Sequence, residues 1–208
     1  MKITKRLAKK IKRVCDFFLS LFLFLITLPL FPVIAILIKL DSPGSLFYRW
    51  EVVGKDGEPF VGYKFRTMYE EAEQDREDLE NENEMEGPVF KMEDDPRVTP
   101  VGKHLRSFSL DELPQLWSVL KGDMSLVGPR PPLREEYREF EDWQKKKLAV
   151  KPGMACLREV RQLEEGERIT DFDEWVELDL EYIENWSLWL DLKIMLKTIV
   201  YIVKGGNV

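Results

Sequence analysis

Charge is absent from Phe17 to Ile38, a run of 22 residues bounded by Asp16 and Lys39. A helix needs about 20 such residues to cross a bilayer. Pro29 and Pro32 lie just past the middle of the run. Each removes a backbone donor and pushes aside a carbonyl one turn back, so a bend near Thr27–Leu28 is expected. The run exceeds the roughly 7–15 apolar residues of a cleaved signal peptide, and no small-x-small site follows. Two readings stand at this point: a straight single-span anchor, or a helix that dips in, turns at the prolines and returns to the same face.

Downstream the period shortens. Leu46 to Val53 and Pro59 to Arg66 read as two strands flanking Gly54-Lys55-Asp56-Gly57-Glu58, and Asp-Gly is a strong hairpin signal. Residues 70–86 carry ten acids and one base, which predicts a solvated helix or a mobile excursion. Asp94-Asp95-Pro96 closes that stretch as a turn. Ser109 to Leu120 reads as a short helix with Leu113, Leu116, Trp117 and Leu120 on one face, ended by Gly122. Gly128-Pro129-Arg130-Pro131-Pro132 is a stiff extended loop. Leu133 to Val150 reads as a highly charged helix stopped by Pro152-Gly153. Asp173 to Lys204 is a last long helical pattern, broken near Asn185-Trp186-Ser187 and apolar enough for a core helix or an interfacial one. There are no internal repeats, so the body after the apolar run is one domain.

Length and composition agree with this. The 208 residues suit one domain with an appendage. Hydrophobic residues at 44% and charged residues at 33% exclude a disordered chain and a polytopic membrane protein. Two cysteines without CxxC spacing and a lone His104 leave no disulfide scaffold and no zinc-finger pattern. Charge sharpens the picture. The net charge is −7, yet residues 1–13 hold seven bases and no acid, which leaves the other 195 residues at −14. A basic arm on an acidic body argues against nucleic-acid binding and fits an arm lying on an anionic leaflet. Those bases also put the start of the apolar run in the cytoplasm, so a straight crossing would export everything from Asp41 onward.

The densest chemistry lies in Arg106-Ser107-Phe108-Ser109-Leu110-Asp111-Glu112-Leu113-Pro114-Gln115-Leu116. Ser109 with Glu112 three residues on is a capping-box pattern, in which the two acids merely satisfy free backbone donors. The same geometry also suits chemistry. A helix N-terminus favours an ionised carboxylate and offers donors to a phosphate. Adjacent helical side chains diverge by about 100°, so one acid is free to act as nucleophile or metal ligand while the other handles a proton. Lys64 and Arg66 at a strand end, Arg106, and Arg130 between prolines supply bases beside turns and helix ends, the kind of set phosphoryl transfer requires. No Walker-type loop is present.

Six tracts occur in order. They are Asp41-Ser42-Pro43-Gly44, Tyr63-Lys64-Phe65-Arg66-Thr67-Met68, Ser109 to Leu116, Gly122 to Pro131, Lys151-Pro152-Gly153 and Asn185 to Lys193. Together they resemble the bacterial sugar transferases, the monotopic polyprenyl-phosphate phosphoglycosyl transferases, from about residue 12 onward. The resemblance implies an α+β, mainly helical fold: a monotopic membrane protein with an N-terminal re-entrant helix, a small β-hairpin and interfacial amphipathic helices. It divides the chain into a basic arm and membrane helix at 1–40 and a cytoplasmic catalytic domain at 41–208, in the minimal form of the family.

The resemblance further implies transfer of a sugar-1-phosphate from a nucleoside diphosphate sugar, usually a UDP-sugar, to undecaprenyl phosphate at the cytoplasmic face of the bacterial inner membrane. Asp111 matches the family's nucleophile, which forms a phosphosugar ester, and Glu112 its partner. The resemblance also implies magnesium (Mg2+) as cofactor, which would bridge the donor diphosphate with Asp111 close to it. Arg130, with Pro129 and Pro131, matches the nucleotide-contacting loop, and Lys64, Arg66 and Arg106 match bases near the phosphates. Homo-oligomers or downstream glycosyltransferases are the further partners it suggests, and nucleic acid is not among them. After Lys151-Pro152-Gly153 the family usually continues Thr-Gly-Leu-Trp-Gln-Val and then Gly-Arg. This chain has Met154-Ala155-Cys156-Leu157-Arg158-Glu159-Val160 and reaches Gly166-Glu167-Arg168 only after a short insertion. That departure bears on Arg168 as a donor contact and on the sugar. A non-catalytic, membrane-anchored interaction protein of a glycan-assembly complex is the alternative class.

Overall fold

The computed structural model describes residues 2–70, 72 and 74–204. Glu71 and Glu73 of the acidic stretch lie outside the described residues. Helices α1 (Lys2–Thr27) and α2 (Leu30–Asp41) meet at a 59° bend across Leu28-Pro29. The Leu28 N–H still reaches the Phe24 carbonyl at 2.9 Å, whereas Pro29 has no N–H with which to continue. The Thr27 hydroxyl donates back to the Leu23 carbonyl at 2.8 Å, a contact that itself favours bending. Pro32 sits in the first turn of α2, where backbone donors have no helical partner in any case. Among the described residues no single helix is long and apolar enough to cross a membrane; only the bent pair is, taken together.

The first half of α1 is built into the body. Asp16 is buried and accepts from the Ser125 hydroxyl at 2.8 Å and from the Leu126 N–H at 3.3 Å. Arg13 donates to the Val119 and Leu120 carbonyls at 2.7 and 2.8 Å. These are the carbonyls at the C-terminal end of α4 (Leu116–Lys121), where the helix dipole favours a cation. Lys12 bridges the Val127 carbonyl at 3.1 Å and Asp191 at 2.8 Å. Two of the seven bases read as leaflet-facing therefore turn inward, because buried acceptors await them. Lys5, Arg6, Lys9 and Lys10 are exposed.

Strands β1 (Phe47–Val53) and β2 (Pro59–Phe65) pair antiparallel, with Val53 opposite Pro59 and Phe47 opposite Phe65. Their turn places Asp56 at φ 59° and Gly57 at φ 84°, the left-handed pair that makes Asp-Gly a tight hairpin turn. Phe65 packs with Ile34, Ile38 and Leu105, which joins α2 to the hairpin and to α3 (Pro100–Ser107). Helix α3 is not part of the sequence reading, although Thr99 caps it through the Gly102 N–H at 3.0 Å and Pro100 opens it. A second core gathers α4, β3 (Ser125–Val127), β4 (Gly153–Ala155), α6 (Leu157–Glu165), α7 (Phe172–Glu184) and α8 (Leu188–Val203) around Val119, Met124, Val160, Tyr182 and Ile194. Strands β3 and β4 run parallel, three residues each. Gly153 presses so close that a Cβ on it would stand 2.0 Å from the Gly128 nitrogen.

The helix expected over 133–150 divides. Helix α5 covers Arg134–Glu139, Phe140 sinks into an aromatic cluster with Tyr137 and Phe172, and a 3₁₀ helix resumes at Gln144–Ala149. The acidic stretch is a run of 3₁₀ turns over Gln74–Glu82. The break predicted near Asn185-Trp186-Ser187 does separate α7 from α8, where the Ser187 hydroxyl caps through the Leu190 N–H at 3.1 Å.

Buried Asp95 and Arg97 fasten the segment that leads into α3, with Nε–Oδ1 at 2.9 Å and Nη2–Oδ2 at 2.7 Å. Burial opposes the Asp95 charge, but the Arg97 hydrogen bonds and charge outweigh it and hold the carboxyl below its ordinary range. A depressed carboxyl stabilises the fold above the ordinary aspartate pKa of about 4, and that contribution is lost as pH falls through the folded value. Asp95→Asn is expected to melt below wild type near neutral pH, with the difference narrowing as the medium is acidified below the ordinary aspartate range. A thermal-melt series over pH checks this.

Candidate active site

Asp111 and Glu112 sit on a 3₁₀ helix, Leu110–Gln115, that runs directly into α4. The expected capping box at Ser109 does not form. Ser109 adopts a left-handed backbone with φ 52°, and its side chain makes no cap hydrogen bond. Pro114 inside the segment removes a donor, so the chain keeps the tighter winding until Leu116. With about three residues per turn, the two carboxylates diverge by about 120° rather than 100°. The capping explanation of the acids thus falls away locally, and their surroundings take over.

Those surroundings separate them. Lys64 on β2 donates to the Glu112 carboxylate at 2.6 Å, with its ammonium 4.6 Å from the centre of the Trp50 ring on β1. Burial resists ionisation of Glu112, but Lys64 and Arg130 outweigh it and hold that carboxyl below its usual range. Asp111 behaves oppositely. Burial and the neighbouring Glu112 charge push it up to about 6, against the pull of Lys64 and Arg106. Two adjacent acids pushed apart in this way are suited to different tasks. Arg106, at the end of α3, donates through Nε to the Thr67 hydroxyl at 2.9 Å and acts on Asp111.

Arg130 stands between buried Pro129 and Pro131 in the loop after β3. The close approach of Gly128 and Gly153 and a 2.9 Å bond from the Gly153 N–H to the Pro129 carbonyl fix that loop. Lys64, Arg106 and Arg130 are therefore brought around the acid pair by three different elements. Arg66 is not. Its guanidinium holds the loop after α2, donating to the Ser42 carbonyl at 2.7 Å, to the Ser42 hydroxyl at 3.0 Å and to the Pro43 carbonyl. Arg168 follows α6 and pairs with Glu84 and Glu93, each at 2.9 Å.

Residues 7–205 match the model of a family described as bacterial sugar transferase. The chain belongs to the bacterial sugar transferase family. It is 48% identical over 162 residues to the galactosyl transferase CpsE of Streptococcus agalactiae, covering 78% of this chain and 35% of that protein. It is 38% identical over 200 residues to the undecaprenyl-phosphate galactose phosphotransferase of Salmonella typhimurium, covering 94% and 41%. It is 37% identical over 193 residues to the UDP-glucose:undecaprenyl-phosphate glucose-1-phosphate transferase of Escherichia coli, covering 91% and 39%. The chain thus spans well under half the length of these curated relatives.

The chain also carries charged residues near the site to which the sequence reading assigns no role. Glu159, in the first turn of α6, is buried, and its carboxyl is pushed up by burial and by the Glu112 charge. It also acts on Arg130, which links the start of α6 to the acid pair. Arg158 precedes it, buried and stacked 3.8 Å over the Trp175 ring. Lys91 feels Arg158, Arg168 and Arg130 at once. The usable signals were the departure from the family pattern at 154–159 and a single base between Phe90 and Met92, just past the acidic run.

Proposed function

We propose that this chain transfers a sugar-1-phosphate from a nucleoside diphosphate sugar of the UDP class to undecaprenyl phosphate, by way of a covalent intermediate on Asp111. The separation of Asp111 from Glu112 inside a ring of three bases carries the reading. Lys64, Arg106 and Arg130 supply the positive field a diphosphate requires, and two are guanidinium groups able to match phosphate oxygens in pairs. Asp111, with less compensation of its charge, is the nucleophile: its carboxylate oxygen attacks the phosphorus that bears the sugar. The bond from that phosphorus to the bridging oxygen breaks, and UMP leaves with the electron pair. An oxygen of the lipid phosphate then attacks the same phosphorus, the bond to Asp111 breaks, and the carboxylate is restored. Glu112, held ionised by Lys64, accepts the proton of the incoming phosphate or orients it.

Magnesium fits this donor set. Among the described residues no cluster of three metal-ligating side chains exists, but Mg2+ characteristically takes one or two carboxylates and completes its shell with substrate phosphates and water. Asp111 is the carboxylate free to serve, since Glu112 is engaged by Lys64. Bound there, the ion would offset charge on the donor diphosphate.

The bent α1–α2 pair is read as a re-entrant insertion at the cytoplasmic face of the inner membrane. Phe18, Phe22, Leu25, Ile26, Val33, Ile36 and Leu40 are exposed along it, and Trp189, Leu196, Ile199 and Val203 along α8. Water is a poor solvent for so much apolar surface, whereas a leaflet accommodates it. A lipid phosphate and a soluble nucleotide sugar then reach one site in turn. The test is UMP release by the detergent-solubilised chain with undecaprenyl phosphate, magnesium and a panel of UDP-sugars. Release with at least one sugar, abolished by chelator, is expected; no release with any sugar counts against the reading.

A further inference from the structure

Two local rules are broken at one place on the hairpin. Trp50 on β1 lies directly opposite Gly62 on β2, and a glycine inside a strand weakens it unless another group needs the space. Here the indole takes that space. A Cβ on Gly62 would stand 2.1 Å from Trp50 Nε1 and 2.9 Å from its Cδ1 and Cε2. Trp50 is 6% exposed, yet its indole N–H has no hydrogen-bond partner among the described residues. A buried indole N–H usually has one, and leaving it unpaired costs folding free energy.

What both departures secure is a contact with Lys64. Residues opposite each other on paired strands share a face, as does the next residue but one, so Trp50 and Lys64 are diagonal neighbours. The Lys64 ammonium stands 4.6 Å from the indole centre, inside the range of a cation–π attraction. The same ammonium donates to the Glu112 carboxylate at 2.6 Å. Lysine is a point charge on a flexible four-carbon stem. Once a phosphate enters the site, that ammonium has two anionic partners to choose between, and the indole favours the conformer that meets Glu112.

We infer that Trp50 is a positioning residue of the transfer reaction: its indole, seated across Gly62, holds the Lys64 ammonium against Glu112 and so keeps Glu112 placed for the lipid phosphate while Asp111 carries the sugar phosphate. The inference rests on the covalent reading above and deepens it. Trp50 touches neither substrate and acts through Lys64, in the second half of the reaction.

The test uses the full chain in detergent with magnesium and the donor sugar it accepts, for wild type, Trp50→Leu, Trp50→Phe and Gly62→Ala. The UMP burst is measured without undecaprenyl phosphate, and steady-state turnover with it. Trp50→Leu is expected to keep a burst of about one UMP per chain while turnover falls about tenfold. Trp50→Phe, which still offers the ammonium a ring, recovers most of that turnover. Gly62→Ala pushes the intact indole aside and lowers turnover as Trp50→Leu does. Added to Trp50→Leu it has no indole to displace, and costs less than about twofold more. The burst counts competent chains, so a purely structural role of Trp50 would lower burst and turnover in step. That result, unchanged turnover in Trp50→Leu, or a Trp50→Phe no better than Trp50→Leu overturns the positioning role and leaves the covalent reading intact. Absence of a burst in wild type removes the covalent reading, and this inference with it.

Discussion

Replacing Asp111 by asparagine is expected to lower sugar-phosphate transfer by roughly 10³-fold or more, which corresponds to about 4 kcal/mol or more of lost barrier reduction. The amide keeps the shape of the carboxylate but has no anionic oxygen to attack phosphorus. The fold should not suffer. Burial and the Glu112 charge push the Asp111 carboxyl up to about 6, so its charge opposes folding near neutral pH. A neutral amide relieves that opposition, and the variant is expected to melt at or above the wild-type temperature while losing turnover. Parallel measurements of UMP release and thermal melting check both halves. Wild-type turnover in the variant would remove Asp111 as nucleophile, and a sharply lowered melting temperature would contradict the electrostatic account of the site.

The second large effect concerns stability. Lys147 and Asp179 form a fully buried ion pair at 2.6 Å, with the ammonium 5.0 Å from the centre of the Trp175 ring. Phe140 and Phe172 complete the wall. Burial pushes the Asp179 carboxyl up even though Lys147 pulls it down, so the pair is held by mutual compensation rather than by surplus attraction. Lys147→Met leaves an uncompensated carboxylate in an aromatic core and is expected to cost about 3–5 kcal/mol. Lys147→Met combined with Asp179→Leu removes both charges and is expected to recover most of that loss. Denaturant unfolding of the two variants measures it. A single variant within about 1 kcal/mol of wild type would contradict a buried, uncompensated carboxylate and show that Asp179 takes up a proton once Lys147 is gone.

Several features were legible in the sequence because a local rule decided them. The Asp56-Gly57 turn needed two left-handed residues in a row. Pro29 lacked the donor that would have continued α1, and Ser187 was available to restart a helix after α7. Other features were set by distant partners and left weak local traces. Ser109 and Glu112 matched the capping pattern, but a left-handed Ser109 and Pro114 inside the segment produced 3₁₀ winding instead. The helix read over 133–150 broke because burying Phe140 against Phe172 outweighed its propensity. Strands β3 and β4 were too short for a period to be read, and their pairing depends on two glycines brought together from 25 positions apart.

The candidate site divides in the same way. Asp111, Glu112, Lys64, Arg106 and Arg130 were found from residue type beside turns and helix ends, and the fold gathers them. Arg66 carries the same chemistry in the same tract, yet faces the loop after α2, because Ser42 and Pro43 present carbonyls there. Strand alternation would put Lys64 and Arg66, two residues apart, on one face, but β2 ends at Phe65 and Arg66 lies just beyond it. Lys91 and Arg158 left only weak traces, a single base past the acidic run and the departure at 154–159.

The central claim is that the sugar phosphate passes through Asp111 before it reaches the lipid. The most direct measurement is to mix the full chain with magnesium and the donor sugar it accepts, omit undecaprenyl phosphate, and follow UMP release and protein mass together. The expected result is a burst of about one UMP per active chain, with the mass of one sugar phosphate added to the peptide that contains Asp111. Absence of both until undecaprenyl phosphate is added would contradict a covalent intermediate and favour direct transfer between the two substrates.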